Sequence, residues 1–157
     1  MNNIWKYSLV LAFSIILDQL IKGTAQSLIP TEGGTVPLFG ILSFVRLRNP
    51  DLIFGISLPV LGTYSNGIAL SVCSALIFLT LKKIVFYRNR NPLKGWAYTL
   101  LVTGLFTSWL DRATQGFTLD YLSVGLGNTS LPFSVGDLFF LVGAILVLIL
   151  ELKGKKA

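Results

Sequence analysis

The chain has 157 residues, of which 53% are hydrophobic and 13% are charged, and its mean hydropathy is +0.72. This composition is far more apolar than that of an average soluble domain and predicts an integral membrane protein. The net charge of +6 comes from basic residues spread over separate connections, which favours contact with anionic membrane lipid and argues against nucleic acid as a partner.

Four apolar stretches predict an all-α membrane fold, a single domain over residues 1–157 with transmembrane helices at about 7–29, 60–81, 93–110 and 131–150. Each stretch is close to the roughly 20 residues that a helix needs to cross the hydrocarbon core, and too continuous for barrel strands. Nine Lys and Arg residues flank one set of span ends and three flank the other. The positive-inside rule therefore predicts that both termini are cytoplasmic.

The first predicted helix carries two opposite charges, Asp18 and Lys22, inside its apolar run. A spacing of four places both side chains on one helix face, where they partly neutralise each other. The pair is either a structural ion pair that fixes the rotation of the helix or a part of a functional site.

The segment 30–59 is too polar and too rich in turn residues to cross a membrane. Its stretch ILSFVRLR alternates apolar and basic residues, which predicts short strands. We therefore expect a small outward-facing β platform between helices 1 and 2, with Asn49 in an ordered turn. The platform is either a surface element or a clamp for a substrate chain.

Two aspartates, Asp111 and Asp137, lie beside the last two apolar stretches, where an unpartnered carboxylate is costly. At about 1.5 Å per residue they lie roughly 25 and 24 Å above the inner boundary, and Lys22 reaches a similar height. Antiparallel neighbouring helices can therefore bring the two carboxylates together near the outer rim of the hydrocarbon.

Two adjacent carboxylates share a proton, so one can act as a general base and the other as a general acid in amide hydrolysis. The structural alternative is that Asp111 pairs with Arg112 and Asp137 caps the fourth helix. The chain has no histidine, which excludes Ser-His and Cys-His catalysis and the usual zinc and non-haem iron sites. The remaining possibilities are catalysis by carboxylates, catalysis by a Ser-Lys arrangement, or a protein without catalytic activity.

Four segments occur in order along nearly the whole chain: DQLIK at 18–22, RNPDLIFGI at 48–56, LDRATQGFTLDYL at 110–122 and PFSVGDLF at 132–139. Through them the sequence resembles the lipoprotein signal peptidases, the type II signal peptidases of bacteria. The resemblance implies a four-helix aspartic endopeptidase of the bacterial inner membrane, without metal or other cofactor. It also implies cleavage of diacylglyceryl-modified prolipoproteins just before the lipidated cysteine, and we expect a monomer.

The resemblance implies that Asp111 and Asp137 are the catalytic aspartates and that residues 30–59 cradle the substrate. It further implies supporting roles for Asp18, Lys22, Asn49, Arg112 and Asp120.

The sequence departs from the family pattern beside both aspartates. Ser108 stands where the family usually has Asn, preceded by Thr107 in place of Gly, and Ser134 replaces the Asn of an FNxAD pattern. Serine keeps a donor and an acceptor but is shorter, so we expect altered or water-bridged hydrogen bonds in an active enzyme. Gly104 is expected to allow close helix approach near the site or to serve packing alone.

Three other interpretations stay open. The intramembrane charges Asp18, Lys22, Asp111 and Asp137 suit a small proton-coupled transporter or channel. A non-catalytic relative would bind lipidated signal helices without cutting them. A Ser-Lys enzyme would combine Lys22 with Ser108 or Ser134.

Overall fold

The computed structural model describes residues 4–50, 64–126 and 129–154, which form four long helices and one antiparallel sheet. The part of the predicted outward segment from 51 to 59 and the predicted start of the second span at 60 lie outside these residues. The elements in chain order are α1 (Ile4–Leu28), β1 (Thr35–Phe39), β2 (Leu42–Asn49), α2 (Ser65–Tyr87), α3 (Pro92–Gln115), β3 (Thr118–Leu126), β4 (Thr129–Phe133) and α4 (Val135–Gly154).

Three of these helices, α1, α2 and α4, are long and apolar enough to cross a membrane. Their surfaces expose large apolar side chains, among them Phe13, Leu20, Phe78 and Leu148. Contiguous apolar surface of this kind is unfavourable in water and suits lipid. The prediction of a helical membrane fold is confirmed.

The remaining helix, α3, is as long as the others but more polar, and it contacts all three of them. Thr99, Thr103 and Thr107 are buried along it, and each hydroxyl donates to a backbone carbonyl three or four residues earlier. Because the helix satisfies its own buried hydroxyls, these residues can lie inside the bundle without partners from other helices.

Helices α3 and α4 approach closely at Gly104. A Cβ at this position would lie 2.5 Å from the carbonyl oxygen of Gly136 and equally close to Cβ of Phe140. The approach brings the functional end of α3 against the first turn of α4, because small residues allow helix backbones to come together.

Gly104→Ala is expected to destabilise the protein by about 1–3 kcal/mol, because the added methyl group meets backbone that has no room to move. The measurement is the thermal unfolding temperature of the detergent-solubilised protein. Gly23→Ala is the matched control, since a Cβ at Gly23 meets nothing within 4 Å. Equal unfolding temperatures for the two variants would show that the close approach at Gly104 is not a constraint.

The sheet has the strand order β1-β2-β3-β4, with antiparallel neighbours throughout. Strands β1 and β2 form the β element expected between the first two helices. Strands β3 and β4 come from the connection between α3 and α4, which the sequence analysis did not predict to be β structure. The platform is thus built from two distant segments, which join where β2 pairs with β3.

Several helix boundaries lie a few residues from those of the predicted spans. The fourth span was predicted to begin at 131, but 129–133 form β4 and α4 begins at Val135, because these residues pair with β3. Helix α3 continues to Gln115, where Gly116 adopts a left-handed C-cap conformation with φ of 84°. Helix α2 continues to Tyr87, so Lys82 and Lys83 are helical residues.

Candidate active site

The Lys22 ammonium group lies between two buried carboxylates. Its Nζ forms an ion pair with Asp18, one turn earlier on α1, and lies 2.8 Å from Oδ2 of Asp111 on α3. The exposed fractions of these residues are 4% or less. The expected pairing of Asp18 with Lys22 is present, and Asp111 forms its ion pair with Lys22. Two carboxylates therefore share one cation, which leaves the cluster with a formal charge of −1.

Four uncharged groups donate hydrogen bonds to the carboxylates of this cluster. Asp111 accepts from the Gln19 side chain at 3.1 Å and from the Leu119 N–H at 3.2 Å. Asp18 accepts from the Tyr121 hydroxyl at 2.9 Å and from the Gly136 N–H at 3.2 Å. Buried charges are tolerated only with such compensation. The bonds tie α1 to α3, to β3 and to the start of α4.

Asp137 is the third residue of α4 and takes part in a capping box with Ser134. Its Oδ2 accepts from the backbone N–H and the hydroxyl of Ser134, each at 2.7 Å, and the Ser134 hydroxyl oxygen accepts from the Asp137 N–H at 3.2 Å. The shorter serine thus serves as N-cap and holds the carboxylate directly. Within the part of the chain that the structure describes, Oδ1 of Asp137 accepts no hydrogen bond, so it is available to water or substrate.

Asp120 lies on β3 between two residues that face the bundle. Leu119 and Tyr121 are buried in the core, and because side chains alternate along a strand, Asp120 points to the opposite face. Its Oδ2 accepts from the Asn49 side chain on β2 at 3.3 Å. The side chain is 6% exposed.

Burial, followed by the negative charge of Asp137, raises the pKa of Asp120 to about 6. Lys22 opposes this rise and Asp111 adds to it, so the other charges of the site also act on this carboxyl group. The pKa in the folded protein exceeds the value of an unfolded chain, so the folded state binds the proton more tightly. Ionisation of Asp120 therefore reduces the stability of the fold progressively as the pH rises from about 4 to about 6.

Asp120 and Asp137 line a cavity of about 840 Å³ between α2, α3, α4 and the sheet. Most of its wall is apolar. The polar side chains that line it are those of Asn49, Ser108, Arg112, Thr118, Asp120 and Asp137. Asp111 does not line the cavity, since its carboxylate is turned toward α1 and Lys22.

The helices that carry Asp111 and Asp137, α3 and α4, are in contact at the site. One turn before Asp111, the Thr107 hydroxyl occupies the space beside Gly136, where a Cβ would come within 2.2 Å of it. The neighbouring residue of α4 is Asp137, so the end of α3 and the start of α4 are in contact at the site. This agrees with the equal depth that the sequence predicted for α3 and α4 at this level.

The other predicted site residues fall into two groups. Ser108 and Gly104 lie in the cavity wall, and Arg112 donates from Nη1 to the Pro50 carbonyl at 3.4 Å beside it. Lys22 belongs to the buried cluster and, among the residues described, bonds to neither Ser108 nor Ser134. Its ammonium group is engaged by the carboxylates of Asp18 and Asp111, so it is not directed at a serine as the base of a Ser-Lys pair would be.

Two residues of the site, Tyr121 and Gln19, were not predicted from the sequence. Tyr121 lies inside the LDRATQGFTLDYL segment. Because side chains alternate along a strand, a strand over TLDYLSV would have placed Tyr121 and Asp120 on opposite faces. Gln19 follows Asp18 directly, and only the packing of α1 on α3 shows that it reaches Asp111.

A family model described as Signal peptidase (SPase) II matches residues 10–153. The "Lipoprotein signal peptidase" of Thermodesulfovibrio yellowstonii is 25% identical over 151 residues, covering 96% of this chain and 97% of its own length. The protein of the same name from Brucella ovis is 24% identical over 152 residues, covering 96% of this chain and 92% of its own length.

Two solved structures, both bacterial membrane enzymes determined by the in meso method, share the fold. One superposes with a TM-score of 0.75 at 22% identity and covers 97% of this chain and 90% of its own. The other has a TM-score of 0.71 at 21% identity and covers 96% of this chain and 94% of its own.

Proposed function

The chain belongs to the signal peptidase (SPase) II family of peptidases, and from this premise we propose that it removes signal peptides from prolipoproteins by aspartic catalysis. The substrates are diacylglyceryl-modified prolipoproteins, cut just before the lipidated cysteine. The relatives that carry the name "Lipoprotein signal peptidase" support this substrate class.

The observation that carries the proposal is the presence of two carboxylates, Asp120 and Asp137, in the wall of one largely apolar cavity. The two groups interact, because burial and then the negative charge of Asp137 together raise the pKa of Asp120 to about 6. Acid and base catalysts are typically pairs of titratable groups whose environments give them different pKa values. We assign the proton-bearing role to Asp120 and the basic role to Asp137.

In the proposed reaction, Oδ1 of Asp137 takes a proton from a water molecule held between the two carboxyl groups. The water oxygen attacks the scissile carbonyl carbon, while protonated Asp120 donates a hydrogen bond to the carbonyl oxygen. The carbon–nitrogen bond then breaks, and the proton taken by Asp137 passes to the leaving amine. The products are the carboxyl end of the signal peptide and the free amino group of the lipidated cysteine.

This assignment changes the role predicted for Asp111. With Lys22 and two further donors around it, Asp111 is part of a buried ion cluster, and its bond to the Leu119 N–H holds β3 next to Asp120. We propose that Asp111 positions the strand and that Asp120 carries out the proton transfer. The assignment of Asp111 as the partner of Asp137 is the competing hypothesis.

We further propose that the sheet and the cavity face the outer leaflet, with both termini cytoplasmic, as the distribution of Lys and Arg predicts. The signal helix would enter sideways from the bilayer, and the diacylglyceryl chains would stay in lipid. The apolar cavity wall and the exposed apolar faces of α2 and α4 support this entry. The clamp hypothesis for the β platform fits this arrangement.

The experiment that tests the function is incubation of the detergent-solubilised protein with a synthetic prolipoprotein peptide that carries diacylglyceryl-cysteine. Mass spectrometry of the products is expected to show a fragment that begins at the modified cysteine. The same peptide with an unmodified cysteine is the control and should be cut far more slowly. Recovery of the intact lipidated peptide after prolonged incubation would refute the proposed function.

A further inference from the structure

The hydroxyl group of Tyr121 joins two parts of the site that are distant in sequence. It donates to Oδ1 of Asp18 at 2.9 Å and accepts from the N–H of Val135 at 3.0 Å. The ring is fully buried, with an exposed fraction of 0%. One phenolic oxygen therefore bonds to α1 and to the first residue of α4 while its backbone belongs to β3.

Two of the three elements that this hydroxyl joins, β3 and α4, carry the two carboxylates of the cavity. Tyr121 follows Asp120 directly on β3, and Val135 precedes Asp137 by two residues on α4. The first N–H groups of a helix have no intrahelical acceptor and must be satisfied from outside. Here the Val135 N–H is satisfied by Tyr121 of β3 and the Gly136 N–H by Asp18 of α1, so the start of α4 is fixed by both elements.

The protonation state of the hydroxyl suits this task. Burial, followed by the negative charge of Asp18, raises the pKa of Tyr121, so the hydroxyl keeps its proton. It can therefore donate to Asp18 and accept from Val135 at neutral pH.

We propose that the Tyr121 hydroxyl is a positioning group that locks the first turn of α4 to β3 and so sets the separation between the carboxyl groups of Asp120 and Asp137. Its effect on cleavage rests on the proposed function, whereas its effect on the interaction between the two carboxyl groups does not. Tyr121 touches neither the cavity nor the reacting atoms and acts through the elements it joins.

The first test is Tyr121→Phe, which removes the hydroxyl and keeps the ring. We expect kcat to fall roughly 10- to 100-fold with KM changed less than about threefold, because displaced catalytic groups affect the chemical step. Tyr98→Phe is the matched control, since the buried Tyr98 hydroxyl also donates to a carboxylate, that of Glu151 at 3.1 Å, near the opposite end of α3. It should lower the unfolding temperature without changing kcat.

The second test removes the other side of the same contact. Val135→Pro deletes the N–H group that donates a hydrogen bond to the Tyr121 hydroxyl oxygen. Proline is well tolerated at the first position of a helix. We expect the same fall in kcat as for Tyr121→Phe, and no further fall in the double variant, because both changes break one contact. Losses that multiply in the double variant would contradict the proposal.

The third test needs no substrate and therefore separates this inference from the proposed function. The parent protein should lose thermal stability as the pH rises from about 4 to about 6, because Asp120 ionises beside Asp137. In Tyr121→Phe this pH dependence should shrink, since α4 is no longer held against β3, whereas Tyr98→Phe should keep it. A Tyr121→Phe protein with the pH dependence of the parent would overturn the positioning role, whatever the result of the cleavage assay.

Discussion

Asp137→Asn is expected to lower kcat for cleavage by roughly 10³- to 10⁴-fold, with little change in KM. Asparagine has nearly the same shape as aspartate but cannot take a proton from the attacking water. The measurement is the initial rate of cleavage of a diacylglyceryl peptide by the purified variant. Both hypotheses for the acid partner include Asp137, so this result tests the aspartic mechanism itself.

The control for Asp137→Asn must account for the capping box, because asparagine also weakens the N-cap of α4. Ser134→Ala removes the capping hydroxyl and keeps the carboxylate, at a cost of about 1 kcal/mol in stability. We expect this variant to remain clearly active, with a loss of cleavage rate of no more than about tenfold. An equally inactive Ser134→Ala protein would mean that the cap, and not the base, accounts for the effect of Asp137→Asn.

Lys22→Met is expected to be the most destabilising single substitution, by about 3–5 kcal/mol, because it leaves two buried carboxylates without their shared cation. The unfolding temperature in detergent should fall sharply. Combining Lys22→Met with Asp18→Asn and Asp111→Asn should recover much of this loss, since the cluster then holds no charge.

The Lys94 pair with Glu151 provides the comparison for Lys22. Their N–O distance is 3.0 Å, but the Glu151 side chain is 37% exposed, so water replaces the lost partner. Lys94→Met should therefore lower the unfolding temperature far less than Lys22→Met does. Similar losses for Lys22→Met and Lys94→Met would show that the Lys22 cluster is not a dry, tightly coupled unit.

Hydropathy and local spacing predicted much of the fold and part of the site. Lipid requires long apolar helices, so the four helices follow from the sequence, and the spacing of Asp18 and Lys22 on one helix face predicted their ion pair. Depth along the helices correctly placed Asp111 level with Lys22. Each of these features depends on residues close together in sequence or on one fixed rise per residue.

The parts that sequence did not predict depend on pairing between distant segments. Residues 129–133 read as the start of an apolar helix, and only their register with β3 makes them a strand. Depth gives the height of Asp111 but not the direction in which it faces, and α3 turns it toward Lys22 and away from the cavity. Asp120 enters the site because β3 pairs with β2 and presents alternate residues to the cavity.

The two serines that depart from the family pattern, Ser134 and Ser108, have different surroundings in the structure. Ser134 caps α4 and bonds to Asp137 directly, so the loss of the usual amide leaves no gap at this point. Ser108 lies in the cavity wall on α3. The sequence identified both serines as replacements but gave no basis for separating a capping role from a cavity role.

The most direct test of the account compares Asp120→Asn with Asp111→Asn for cleavage at about pH 6, near the pKa of Asp120, and for thermal stability at pH 7.5. Asp120→Asn should abolish detectable cleavage and unfold at or above the temperature of the parent, because it removes a carboxylate whose ionisation destabilises the fold. Asp111→Asn should unfold at a lower temperature, because it breaks the Lys22 cluster, and should keep measurable cleavage. An Asp120→Asn protein that cleaves at the parent rate, beside a stable and inactive Asp111→Asn protein, would contradict the assignment of Asp120 and Asp137 as the catalytic pair.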